Sequence, residues 1–240
     1  MLWNKWMRLI LACLLCLGWA HNGLAQRNEE ARLRKAIQVV EDLGDIPETS
    51  IPPALMEKAY GIAIIPGVIK IGLGLGGRWG KGILVVREDS VWSPPLFLSL
   101  GGGSVGWQFG VQSTDIVLIF RNRESIEAFL DGNFTLGVDA SIAAGPVGRH
   151  VGAKTDVEFR SEIYSYSKSR GLFAGIALEG ASLDIDDDAN AAFYGKSLDP
   201  EDILEGAVDR IPDTVHQLHN AMKQTEETED YGAGHPDAGT

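Results

Sequence analysis

The chain has almost no cysteine. Its only two cysteines, Cys13 and Cys16, lie within the first 25 residues, and this segment has the pattern of a secretory signal. The rest of the chain therefore contains none, which excludes a disulfide framework, a catalytic thiolate and a cysteine-ligated metal site. The mature fold must be stabilised by burial alone.

The first 25 residues show the three parts of a signal peptide. Lys5 and Arg8 supply a basic start, Leu9–Leu17 is an apolar run, and Gly23-Leu24-Ala25 is a small-x-small cleavage site. The apolar run is short for a bilayer span. The sequence therefore predicts secretion across an inner membrane, to the periplasm or the exterior. An uncleaved anchor and lipidation of one of the two cysteines are the alternatives.

An excess of positive charge is also missing. The net charge is −12, and the absence of a basic footprint predicts no nucleic-acid partner. Residues 26–179 hold 16 Lys and Arg against 18 Asp and Glu, whereas residues 180–240 hold 3 against 15. Nearly all the excess acid is thus in the last quarter, and residues 225–240 are predicted to be a disordered acidic tail.

Acidic residues are absent from two stretches. Residues 58–87 contain no Asp or Glu and five basic residues, and residues 140–155 contain no acid but include Arg149, His150 and Lys154. Each cation near an anionic membrane contributes about 1 kcal/mol, so five of them can hold a peripheral protein there. These stretches favour recognition of an anionic head group; an ordinary solvated face is the alternative.

Glycine is abundant where most strands carry side chains. Between Lys70 and Arg78, Ile and Leu alternate with glycine, and in residues 104–112 valine and aromatic residues alternate with Ser, Gly and Gln. This period of two predicts two long strands, each with an apolar core-facing side and an almost bare side. Glycine weakens a strand interior, so the bare side predicts close approach by a helix, another sheet or a ligand.

The remaining patterns predict short helices and further strands. Helices are predicted from amphipathic spacing and capping residues at 29–43, after Pro52-Pro53, at 122–130, at 189–194, after Pro200 and at 212–223. Strands are predicted at Phe134–Ile142, Asp156–Lys168 and Gly171–Glu179. The predicted fold class is α+β: a single domain over residues 26–224, with a mostly antiparallel, glycine-rich β-sheet flanked by short α-helices.

Two motifs resemble those of enzymes or nucleotide-binding proteins. Residues 72–77 satisfy the dinucleotide pattern G-x-G-x-x-G, but the helix that should follow is replaced by another strand pattern. Gly102–Gly106 matches the G-x-S-x-G nucleophile elbow, with Ser104 as nucleophile and His150 or His216 as base. An elbow turns from strand into helix, whereas strand alternation continues here. No catalytic residue is predicted, and a Ser104 hydrolase remains an alternative.

Two groups of residues have metal-like spacing. A calcium-loop spacing is present in Asp184, Asp186, Asp188 and Asn190. The loop's glycine and its final glutamate are both missing, so a solvated acidic turn is the other interpretation. Asp213, His216 and His219 lie along one predicted helix, where unliganded histidines are common. No metal and no cofactor are predicted.

The order of several segments resembles the SYLF domain family. The matching segments are Ala59–Pro66, Lys70–Gly72, Gly76-Gly77, Gly82–Val85, Trp92–Pro95, Ser99–Gly102, Val105–Gly110, Asp115, Gly145–Arg149, Tyr164–Ser167 and Gly171–Gly175. The resemblance implies a lipid-binding or actin-associated module without known catalysis, as in eukaryotic phosphoinositide-binding and actin-patch proteins. In eukaryotic members an N-terminal amphipathic segment and basic residues are associated with phosphoinositide binding. The nearest positions here are Arg32, Arg34, Lys35 and Lys70.

The resulting prediction is a non-enzymatic lipid-binding module of the cell envelope. Its predicted ligand is an anionic or phosphorylated, phosphoinositide-like head group of a membrane lipid. The predicted binding residues are Lys70, Arg78, Lys81, Arg87, Arg149, Lys154, Arg32, Arg34 and Lys35. Trp92 and Trp107 are candidates for a membrane interface or for core packing. The alternative is a structural or assembly protein of the envelope that binds a protein partner, as actin-binding relatives do.

Overall fold

Two long strands form the centre of the fold. β1 (Gly61–Glu88) and β3 (Leu96–Phe120) pair antiparallel from one end to the other, and the two-residue β2 (Val91–Trp92) pairs with the end of β1. The structure, a computed structural model, describes residues 26–43, 51–88, 91–147, 160–169, 172–209 and 211–233. The two long strands predicted from the glycine alternation are confirmed.

Shorter strands complete the sheet. They are β4 (Phe134–Thr135), β5 (Ile142–Ala144), β6 (Ile163–Ser169), β7 (Leu172–Gly175) and β8 (Ser182–Ile185). β6 pairs with the last part of β3, and β8 pairs with the first part. Only the β5–β6 pairing among these strands is parallel. The predicted fold class, α+β with a mostly antiparallel sheet, is confirmed.

Helices cover both faces of the sheet. Within the described residues they are α1 (26–41), α2 (Pro53–Glu57), α3 (Arg123–Leu130), α4 (Asp187–Tyr194), α5 (Pro200–Leu204) and α6 (Asp213–Ala233). One buried cluster joins α1, α2, α4 and α6 to one face, and a second joins α3 and α5 to the other. α3 begins where the sequence predicted, because the Asn122 side chain accepts the Ser125 N–H and caps the first turn.

The sheet bends back so that the two ends of β1 meet. Ala63 and Leu84, from opposite ends of the strand, belong to the same buried cluster. A Cβ atom on Gly82 would lie 2.2 Å from the carbonyl oxygen of Ile64 and 2.8 Å from the Cα of Ile65. Glycine is needed at this crossing because no side chain fits there. Gly82 lies outside the two stretches predicted to have a bare side, and the element that approaches it is the other end of the same strand.

A β-bulge in β1 changes which residues of the strand face the buried cluster that joins α3 and α5 to the sheet. The pairing register shifts between Ile65 and Val68, and Gly67 has φ +63°. Asp115 on β3 accepts the Gly67 N–H at 2.9 Å. Ile65 and Val68 both belong to the buried cluster that joins α3 and α5 to the sheet, although they are three positions apart. The residues of β1 that face this cluster are therefore at odd positions before the bulge and at even positions after it.

The predicted strand Phe134–Ile142 is wrong after its first two residues. β4 ends at Thr135, whose N–H donates to the Asp139 carboxylate at 2.6 Å. Gly137 adopts φ +82°, and Val138 is exposed. The side-chain acceptor and the left-handed glycine close a tight turn here, so the alternating pattern belongs to a turn and not to a strand.

The last helix extends beyond its predicted end at residue 223. α6 continues to Ala233, into the predicted acidic tail. Thr225 is buried, and its hydroxyl donates to the carbonyls of Val40 and Ala221. The rest of the predicted tail, 234–240, and the predicted signal, 1–25, lie outside the described residues. In the part of the chain that is described, no helix combines the length and apolarity required to span a bilayer.

Candidate functional site

A charge network joins α1, β1 and the start of α4. Lys81 Nζ lies 2.7 Å from Asp186 Oδ2, and Arg32 Nη1 lies 3.2 Å from the same oxygen. Arg32 also pairs with Glu29 at 2.8 Å, and its guanidinium stacks on the ring of Phe97 at 5.5 Å. Two predicted lipid-binding residues are thus brought together, but around a carboxylate of the protein itself.

Burial and charge act in opposite directions on the acids of this network. Burial alone would raise the pKa of Asp186, but the hydrogen bond and charge of Lys81, with Arg32, hold that pKa below its ordinary value. Burial raises the pKa of Glu29, and the charge of Arg32 offsets this only in part. Asp186 therefore stays ionised near neutral pH. An external anion would have to compete with it for Lys81 and Arg32.

Arg87 hydrogen-bonds to the carbonyls at the C-terminal end of α2. Its guanidinium donates to the carbonyls of Met56, Glu57 and Ala59 at the end of α2, at 3.3 Å from Met56 and 3.0 Å from Ala59. Carbonyls at a helix end have no partner within the helix, so the side chain satisfies them. The guanidinium also stacks on Trp92 at 5.1 Å. Trp92 is buried, and its predicted place at a membrane interface is wrong.

Arg78 lies on the inner face of the curled sheet. It is half-buried, and its guanidinium donates to the carbonyl of Ala177 at 3.3 Å. Burial lowers its pKa, and the charge of Glu179 acts in the opposite direction. Close by, a Cβ on Gly80 would lie 2.7 Å from a methyl group of Val68. At Arg78 and Gly80, the face predicted to be open to a head group is therefore in contact with other parts of the protein.

The other predicted binding residues are dispersed. Arg34 pairs with Glu30 at 3.3 Å on the solvent side of α1, and Lys35 beside it is exposed. Lys70 is on β1, where its register partner is Gln112 of β3. Arg149 and Lys154 lie outside the described residues. Within the described part of the chain, the predicted residues do not converge on one cationic patch.

Neither enzyme-like motif has the backbone that its chemistry requires. Ser104 lies inside the unbroken strand β3, opposite Gly76 of β1. Residues 72–77 likewise continue as β1. A nucleophile elbow and a dinucleotide loop each lead from a strand into a helix. The strand geometry therefore gives neither motif its functional form.

The segment with calcium-loop spacing, residues 184–190, packs against the core through Asn190. Asn190 is buried: its side-chain oxygen accepts the Phe97 N–H at 2.8 Å, and its amide donates to the Phe97 carbonyl at 3.1 Å. Asp186 caps α4 and binds Lys81. Two of the four candidate ligands are thus occupied by the protein. Among the residues described, no three His, Cys, Asp or Glu side chains are grouped as a metal ion requires.

The middle of the long hairpin presents apolar side chains to solvent. Ile71 and Val111 are register partners and are 42% and 70% exposed, and Trp79 is 48% exposed. The sequence predicted that the apolar side containing Ile71 and Val111 is core, which is wrong for these two residues. The two buried clusters take their strand residues from the ends of the hairpin, and Ile71, Val111 and Trp79 belong to neither cluster.

A groove lies between the end of β1, α3 and α5. Its deeper part encloses about 390 Å³ and an adjoining part about 310 Å³. Val86, Glu88, Leu204 and Glu205 line both parts, which therefore lie next to each other. The sequence contained no signal for this groove, since its walls come from segments that are distant along the chain.

The chain is similar to a known family and to curated eukaryotic proteins. A family model described as "Ysc84: Las17-binding protein actin regulator" matches residues 101–225. The SH3 domain-containing YSC84-like protein 1 of Rattus norvegicus is 33% identical over 211 residues, which are 84% of this chain and 62% of that protein. Protein YSC84 of Saccharomyces cerevisiae is 38% identical over 172 residues, covering 70% of this chain and 36% of its own length.

A second yeast relative is named for what it binds. LAS seventeen-binding protein 3 of Saccharomyces cerevisiae is 35% identical over 177 residues, which are 72% of this chain and 38% of that protein. The chain thus spans between 36% and 62% of the length of these relatives.

These relatives overturn the predicted location. They are proteins of yeast and mammals, whose cells have no periplasm, and the matching family is described as an actin regulator. Actin is regulated inside the cell. The prediction of secretion to the periplasm or the exterior, as an envelope protein, is therefore wrong.

Proposed function

The chain belongs to the Ysc84 family, which confirms the SYLF resemblance, and on this premise we propose that it is a binding module of an actin-regulating assembly. Its proposed partner is a protein of the Las17 type. The supporting observation is a family match over residues 101–225, together with relatives that cover most of the chain. Of the two functions predicted from the sequence, we therefore prefer binding of a protein partner to binding of a lipid head group.

The geometry agrees with binding and not with catalysis. Ser104 lacks the strand-to-helix turn of a nucleophile elbow. The groove beside α3 and the exposed hairpin side chains are instead the kinds of surface that macromolecules contact, because they offer shape and apolar area. The module therefore acts by holding a partner in place.

We expect the full chain to bind purified yeast Las17 with a Kd on the order of 10 μM, which is about 7 kcal/mol. Isothermal titration calorimetry measures this directly, and a pyrene-actin assay shows whether the bound module changes Las17-stimulated filament assembly. Titration against actin filaments alone separates direct actin binding from Las17 binding. Absence of heat and of any effect on assembly would contradict the proposal.

Membrane binding is a second candidate, supported by the exposed hairpin. Trp79 and Ile71 are exposed apolar residues in the stretch without acids, and Lys70 is next to Ile71. Tryptophan favours the membrane interface, and each nearby cation contributes about 1 kcal/mol toward an anionic surface. The hairpin would then rest on the head groups with its apolar side chains inserted.

A flotation assay with phosphatidylserine-containing vesicles tests this candidate. The double variant Ile71→Ser and Trp79→Ser is expected to bind about tenfold more weakly, a loss of about 1.4 kcal/mol. Val138→Ser is the matched control, because Val138 is also an exposed apolar residue but lies outside the hairpin. Equal flotation of both variants, or no flotation of the wild type, excludes membrane binding through the hairpin.

A further inference from the structure

The groove beside α3 has an apolar floor. Val86 and Ile126 are buried beneath its deeper part, and Leu130 and Leu204 form half-buried walls. At the other end, Val91 is 69% exposed and Ile211 is 37% exposed. A partner segment lying along the groove would remove these side chains from water.

The rim of the same groove is acidic. The carboxylates that line its deeper part belong to Glu88, Glu127, Asp131, Glu201 and Glu205, and Arg123 is the one basic residue among the described residues that line it. Arg123 is already paired with Glu127 at 2.8 Å and with Glu88 at 3.5 Å. A cleft lined by charges of one sign concentrates ligands of the opposite sign. The groove therefore selects a cationic occupant and repels an anionic head group.

The five carboxylates on the rim come from three elements, β1, α3 and α5. Glu88 is at the end of β1 and accepts the Tyr60 hydroxyl at 3.0 Å, and burial raises the pKa of Tyr60. Asp131 caps the end of α3, whereas Glu201 and Glu205 belong to the first turn and the end of α5. The negative charges are thus spread along the groove. An extended chain with several cations matches this spacing better than a single small cation does.

We propose that the groove binds a basic segment of the protein partner, in extended form, with lysine or arginine along the acidic rim and an apolar side chain against Val91 and Ile211. This inference rests on the proposed function, because it names the part of the partner that the module recognises. Aliphatic contacts hold the segment and the carboxylates select its charge. The acidic character of the groove excludes the membrane surface as its occupant.

A short fluorescein-labelled peptide, with arginines in its first half and leucines in its second, is a direct probe. Fluorescence polarisation measures its Kd for the full chain. The triple variant Asp131→Asn, Glu201→Gln and Glu205→Gln is expected to bind at least about tenfold more weakly. The triple variant Glu41→Gln, Asp184→Asn and Asp188→Asn removes equal charge from exposed positions elsewhere, and its Kd is expected to stay within about twofold.

The outcomes separate this inference from the proposed function. Equal weakening by both triple variants would mean general attraction to an acidic protein and would overturn the groove site, as would absence of peptide binding to the wild type. If Las17 still binds in that case, the proposed function stands and only the groove assignment fails. If the peptide binds the groove but Las17 does not bind the protein, the groove recognises basic segments and the proposed partner is wrong.

Discussion

Gly82→Ala is expected to lower the free energy of unfolding by about 3 kcal/mol. Its added Cβ would lie 2.2 Å from the Ile64 carbonyl oxygen and 2.8 Å from the Ile65 Cα. These are backbone atoms of two fully buried residues, so they cannot rotate away as the end of a side chain can. Overpacking a well-packed core typically costs 1–3 kcal/mol and occasionally more, so about 3 kcal/mol is expected here.

The physical consequence of this substitution is separation of the two ends of the curled sheet. Ala63 and Ile65 at one end share a buried cluster with Leu84 and Val86 at the other. Moving the ends apart would open this inner core to water, and the loss of burial would add to the steric cost. The arch of the hairpin depends on contact at this crossing.

Urea unfolding followed by far-ultraviolet circular dichroism measures the change. Gly77→Ala is the matched control on the same strand, because the nearest atom to its Cβ is the Gly102 carbonyl oxygen at 3.9 Å. Alanine there is expected to change stability by less than about 1 kcal/mol, since a strand interior prefers alanine to glycine. Equal stability of the two variants would show that the ends of β1 are not in contact.

Asn190→Ala is expected to destabilise the domain by about 2–3 kcal/mol. The Asn190 amide accepts from the Phe97 N–H and donates to the Phe97 carbonyl, and it also donates to the Asp186 carbonyl at 3.1 Å. Alanine leaves the Phe97 N–H without this acceptor in a buried place, whereas the Phe97 carbonyl keeps the Asp186 N–H as a donor at 3.0 Å. An unsatisfied buried polar group costs about 1–3 kcal/mol.

Thermal unfolding distinguishes this structural role from calcium binding. Asp188→Ala is the control, because Asp188 has a place in the same calcium-like spacing but is exposed; its loss is expected to cost less than about 1 kcal/mol, through the helix dipole alone. Added calcium is expected to leave the Tm of the wild type unchanged. A calcium-dependent rise in Tm would instead mean that the segment binds the ion, since a ligand that binds only the native state stabilises it.

Much of the fold could be predicted because its signals are local. Side chains alternate across a strand with a period of two, so the pattern around Gly72 identified the long strands. The Asn122 cap predicted the start of α3. The same reasoning was wrong for Phe134–Ile142, where the pattern is alternating but the Thr135 N–H donates to the Asp139 carboxylate and a turn forms.

The candidate site was predicted poorly because charge alone does not show whether a cation is available. Lys81 and Arg87 belong to a stretch without acids, yet Lys81 meets Asp186 across 105 positions of the chain, and Arg87 satisfies carbonyls of α2. The acidic groove was missed for the same reason. Its carboxylates come from β1, α3 and α5, and no short window of the sequence contains them together.

The amino-acid order alone identified the α+β class, the long glycine-bearing strands and the family, because alternation, capping and segment order are readable along the chain. The folded arrangement determined everything that depends on distance. It places the beginning of β1 against Gly82 near the end of the same strand and leaves Ile71 and Val111 exposed to solvent. It also brings carboxylates from β1, α3 and α5 to one groove. Burial and ion pairing arise from contacts between residues that are far apart in sequence, and only the curled sheet specifies which residues those are.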